Sequence, residues 1–131
     1  MKKVRVMDHK TSETVKEIVQ AIFDKKGFNI IALDVQGVST VTDYFIVAEG
    51  NSDRHVKALA NTVVKLQKEK ETIPLHVEGD SKGEWVVVDY GDIIIHLFTP
   101  GLRDKYSIES LWSAGNIIDV DIDMSKEKGE L

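Results

Sequence analysis

Four histidines, His9, His55, His76 and His96, are the first candidates for chemistry in this chain, because imidazole is both a common metal ligand and a common general base near neutral pH. None stands two, three or four residues from another, the spacings that set two ligands on one face of a strand or helix. The pattern therefore favours structural roles over a metal centre. His96 interrupts the apolar run Ile93-Ile94-Ile95, where a hydrogen-bonded buried or edge histidine is expected, and His76 is a candidate to lie across a sheet from it. Ser52, Asp53 and His55 supply the residue types of a hydrolase triad. However, Gly50-Asn51-Ser52-Asp53-Arg54 lacks the second glycine of the nucleophile elbow, and the order is wrong for that fold. Helix capping explains Ser52 more simply, and the amides at that helix start could receive an anion.

Asp89 and Asp92 would suit two-metal phosphoryl or nucleotidyl transfer if their carboxylates converged on the ions. A spacing of three opposes them on a straight strand, and Tyr90-Gly91 between them reads as a turn. Asp119, Asp121, Asp123, Ser125, Glu127 and Glu130 follow the ligand spacing of an EF-hand calcium loop. Met124 stands where that loop needs glycine and Lys126 sits among the ligands, so a solvated acidic tail is the better reading. No metal or other cofactor is implied.

The elements that must position these residues belong to 131 residues that are 42% hydrophobic and 30% charged, enough for one globular domain with its own core. The absence of cysteine excludes disulfide frameworks, thiolate zinc sites and a cysteine nucleophile. The basic start Met1-Lys2-Lys3 is followed by Asp8-His9-Lys10 rather than an apolar signal core, and no apolar run is long enough to span a membrane. A cytoplasmic protein is expected. The net charge of −5 disfavours a long phosphate-backbone contact, so sequence-specific nucleic-acid binding is not expected and a basic protein partner fits better.

Thr11 or Ser12 is placed to cap a helix with Val15, Ile18, Val19, Ile22 and Phe23 on one face. Glu13 falls in its first turn, Lys25 and Lys26 in its last, and Gly27 is its left-handed stop. Strands are predicted over Asn29–Val35 and Tyr44–Glu49, then a helix from Ser52 to about Lys70 with Val56, Leu59, Ala60, Val63 and Leu66 or Gln67 inward. Three more strands follow over Leu75–Glu78, Glu84–Asp89 and Ile93–Phe98, the last central and covered on both faces. A short helix is predicted over Asp104–Trp112. The fold class is α+β, a single domain with a mixed β-sheet packed with helices; the domain spans 1–112, and 113–131 is an extension whose charged end is mobile.

Trp85 and Trp112 can each serve the core or anchor an interface. Strand alternation puts Trp85, Val87 and Asp89 on one face and Val86 and Val88 on the other. Neither face is cleanly polar, and the predicted helices suffice to cover one, so the other invites a partner, although a third layer of helices would explain the pattern equally well.

The chain resembles the ribosomal silencing factors, also called Iojap-like proteins. The resemblance rests on Ile31-Ala32-Leu33-Asp34-Val35-Gln36-Gly37, Thr42-Asp43-Tyr44-Phe45, Gly50-Asn51-Ser52 with His55, Glu78-Gly79, Trp85 and Asp89-Tyr90-Gly91-Asp92 followed by His96. Arg103, Tyr106, Glu109 and Leu111-Trp112 complete it. It implies a degenerate nucleotidyltransferase-like fold without catalysis. It further implies binding to large-subunit ribosomal protein fourteen, which sterically blocks subunit joining and represses translation when nutrients are scarce. Trp85, Val87 and Asp89 are the positions chosen for that contact, and a homodimer when free is compatible with the same reading. The alternative is a metal-dependent nucleotidyltransferase, with Gly50-Asn51-Ser52 on phosphate and Asp89 and Asp92 on magnesium. Active members of that superfamily place a D-x-D strand soon after the Gly-Ser turn, where this chain has an amphipathic helix.

Overall fold

A stripe of Val15, Ile18, Val19 and Ile22, repeating at helical spacing, drives the first helix, and all four are buried. In the computed structural model, which describes residues 9–79, 81–102, 116–118 and 122–123, this helix is α1 (His9–Asp24). It begins before the expected cap, so Thr11 lies inside it and is buried, Glu13 falls beyond the first turn, and Lys25 and Lys26 follow the last. Its stop also differs from expectation. Lys26, with φ 72°, takes the left-handed position, its N–H donating to the Phe23 carbonyl, while the Gly27 N–H closes onto the Ile22 carbonyl at 2.8 Å. This is a Schellman ending, and Gly27 serves it by size, since a Cβ there would lie 2.4 Å from Ile22 Cγ2.

Strands β1 (Phe28–Asp34) and β2 (Tyr44–Glu49) pair antiparallel. Helix α2 (Asp53–Glu69) follows, with Val56, Leu59, Ala60, Val63 and Gln67 buried, so Gln67 rather than Leu66 takes the last inward position. Strands β3 (His76–Glu78), β4 (Trp85–Asp89) and β5 (Ile93–Phe98) form an antiparallel meander. The sheet order is β3-β4-β5-β2-β1-β6, with β2 and β5 pairing in parallel and every other neighbouring pair antiparallel. This is a mixed sheet in an α+β fold. β5 is internal and all six of its residues are buried, the outcome its near-continuous apolar run predicted.

The sequence gives no sign of the sixth strand. β6 (Asn116–Ile117) adds to β1 through Leu33 and Asp34, and Ile118 and Ile122 pack against the core. Gln20 on α1 holds Asp123 in both directions: its Nε2 donates to the Asp123 carbonyl at 3.0 Å, and its Oε1 accepts the Asp123 N–H at 2.8 Å. Part of segment 113–131 is therefore tied to the sheet and to α1. The helix predicted over Asp104–Trp112, Trp112 itself and most of the acidic tail lie outside the described residues.

Helices α1 and α2 pack on one face of the sheet, where Val15, Ile18, Val19, Ile22, Val56, Leu59 and Val63 meet Ala32, Ile46, Ala48, Val86, Val88, Ile95 and Leu97. The opposite face carries Leu33, Phe45, Val47, Ile94 and Phe98. It was expected to be open, yet Val47 and Phe98 have no exposure at all. Its large side chains pack on one another, with Trp85 and Leu102 against the Val47–Phe98 end and Ile31 and Val87 against Leu33, Phe45 and Ile94. The buried centre of this face leaves its half-exposed residues largely on β4.

Candidate partner-binding surface

β4 alternates strictly: Val86 and Val88 are fully buried under the helices, while Trp85, Val87 and Asp89 are half-buried on the far face. The three residues chosen for a partner contact thus form one continuous strip. The register sets their neighbours, Trp85 opposite Phe98, Val87 opposite His96 and Asp89 opposite Ile94 on β5, with His76 of β3 on the outer side of Asp89. His76 is exposed and does not face His96; the strip lies between them. Gly79 shapes the entry to β4, because it holds φ +84° and a Cβ there would stand 2.0 Å from the Trp85 carbonyl oxygen.

The Trp85 indole rests on Phe98 with ring centroids 5.0 Å apart, and its Nε1–H donates to His96 Nδ1 at 3.2 Å. An indole nitrogen only donates, so Nδ1 accepts and the neutral ring carries its proton on Nε2. His96 sits among rings, 5.6 Å from Phe45, 6.1 Å from Trp85 and stacked at 6.1 Å on Phe98. Burial pushes its pKa down to about 4 against a smaller opposing pull from the Asp89 carboxylate, so it is uncharged at neutral pH. The expectation of a buried, hydrogen-bonded histidine holds.

The other candidates resolve into local structure. Ser52 caps α2, its Oγ accepting the His55 N–H at 3.1 Å. His55 Nδ1 accepts the Asn51 N–H at 2.9 Å, so its Nε2 donates to the Lys25 carbonyl at 2.7 Å, and neither ring nitrogen is available to activate Ser52. His55 instead pins the end of α1 to the start of α2. The Arg54 N–H goes to Asp53 Oδ1 at 2.7 Å, so three amides that an incoming anion would need are already engaged. Asp89 Oδ1 accepts the Gly91 N–H at 2.8 Å within the turn, and the Asp92 carbonyl accepts from the Asp43 and Tyr44 N–H groups. Among the described residues no group of three or more His, Cys, Asp or Glu side chains could hold a metal ion, and no helix is long and apolar enough to cross a membrane.

Among the described residues, α1 and α2 lie on one face of the mixed sheet and the strip Trp85, Val87 and Asp89 lies half-buried on the other. Residues 8–130 match the family profile described as ribosomal silencing factor during starvation, and the chain belongs to that family. It is 44% identical to ribosomal silencing factor RsfS of Chromobacterium violaceum over 76% of this chain and 82% of that protein. It is 36% identical to RsfS of Bacillus subtilis over 86% and 95%. A mouse relative named mitochondrial assembly of ribosomal large subunit protein 1 is 30% identical, over 73% of this chain and 43% of its own length. A crystal structure of a Chromobacterium violaceum protein superimposes with TM-score 0.75 at 40% identity, covering 85% of this chain and 92% of that one.

Proposed function

We propose that this protein silences ribosomes by binding the large subunit through large-subunit ribosomal protein fourteen, so that the small subunit is sterically kept from joining and translation falls when nutrients are scarce. The family match over residues 8–130 carries this reading. Two physical features support it. The net charge of −5 suits a basic ribosomal protein, and the strip Trp85-Val87-Asp89 offers an aromatic anchor, an aliphatic neighbour and a rim carboxylate on one strand face. The protein acts by occupying a surface rather than by turning over a substrate.

Cosedimentation with separated subunits tests the proposal. The protein is expected to pellet with large subunits and not with small ones, and equal binding to both would refute the mechanism. Raising the salt concentration should weaken association by slowing encounter between opposite charges, while the apolar centre of the contact retains part of the binding. Complete insensitivity to salt would remove the electrostatic component.

A further inference from the structure

The geometry points to His96 as a positioning residue that fixes the Trp85 indole for partner binding, an inference that rests on the proposed contact at Trp85. An imidazole in the middle of the apolar strand Ile93–Phe98 carries a desolvation cost that a leucine there would not. One observed return is the hydrogen bond from Trp85 Nε1 to His96 Nδ1 at 3.2 Å, with the Phe98 ring beneath both. A half-buried tryptophan on a strand next to the sheet edge has rotamers to choose among, and the directional acceptor selects one. His96 is only 9% exposed, so it acts on a partner through Trp85.

Three variants test this together: His96→Leu, His96→Asn and Trp85→Phe. Leucine suits the surrounding apolar strand and removes the acceptor. Asparagine places an oxygen near the Nδ1 position, and phenylalanine keeps a ring without the N–H. The His96→Leu protein is expected to keep or raise its denaturation midpoint yet bind large subunits about fivefold to tenfold more weakly, the scale of one lost hydrogen bond and its orientation. His96→Asn should recover most of that loss. In NMR spectra the Trp85 indole N–H resonance should move upfield in His96→Leu and lose protection against hydrogen exchange.

In the Trp85→Phe background, His96→Leu should cost nothing further, because there is no indole proton left to orient. An unchanged indole resonance, or the same affinity loss with and without the indole, would overturn the positioning role. Wild-type binding together with undiminished binding by His96→Leu would overturn this inference alone. Failure of the wild type to bind large subunits would overturn both it and the proposed function.

Discussion

Trp85→Ala is expected to lower affinity for large ribosomal subunits about thirtyfold or more while leaving a folded protein. Tryptophans at the centre of a contact are frequent anchors, and truncating one typically costs about 2 kcal/mol or more. A fully buried structural tryptophan would instead remove about 3–5 kcal/mol of folding stability, enough to threaten a marginally stable domain. Trp85 lies between these cases, half-exposed on β4 but packed against Phe98 and bonded to His96. Its loss from the fold should therefore stay at about 2 kcal/mol, roughly half the buried figure. Denaturant melts and subunit cosedimentation on the same preparation separate the outcomes. A collapsed midpoint would assign Trp85 to the core, and unchanged binding by a folded variant would remove it from the interface.

Acid is expected to destabilise the fold through His96. Its folded pKa of about 4 lies below the ordinary histidine value of 6.5, so the unfolded chain binds the proton more tightly than the native one does. The contribution is fully present above about pH 6.5, is lost as pH falls from there to about 4, and does not change further below. The gap between those two values corresponds to about 3 kcal/mol across that window. Protonation would also place a donor where Trp85 needs an acceptor. Urea melts of wild type and His96→Leu at a series of pH values isolate the contribution of His96, since the carboxylates and the other three histidines are common to both. Parallel stability curves between pH 6.5 and 4 would show that His96 is not the responsible group.

Most of the architecture is legible in the residues, because its strongest signals are local. The i, i+3, i+4 stripes of α1 and α2, the Ser52 cap and the apolar runs of β2 and β5 each specify an element without reference to the rest. What escapes depends on distant partners. Thr11 can enter α1 only because the helix starts two residues earlier, and Lys26 takes the left-handed position because Gly27 is needed for close packing on Ile22. β6 has two residues, too few for any alternation, and exists because β1 has a free edge to offer. The face opposite the helices reads as open because alternation reveals side-chain direction but not what lies above it. Its centre is buried, and among the described residues its partly exposed positions are largely those of the β4 strip. The sequence alone suggests His96 as a structural residue; its link to Trp85 needs the β4–β5 register, which places those two side chains on the same face.

The parallel pairing of β2 with β5 has a kinetic consequence. Residues 44–49 meet residues 93–98 only after α2, β3 and β4, which lie between them in the chain, have been gathered out of the way. The α1 helix and the β1–β2 and β4–β5 pairs can each form from near neighbours, but the central seam must close a long loop before its contacts repay that entropy. Docking of the two halves along Ile46 and Ile95 is therefore expected to be the slow step. Conservative truncations at these two buried positions should retard folding more, relative to their effect on stability, than truncation of Val15 on α1. The sheet's innermost contact, in that case, is also the last to commit the chain to its native topology.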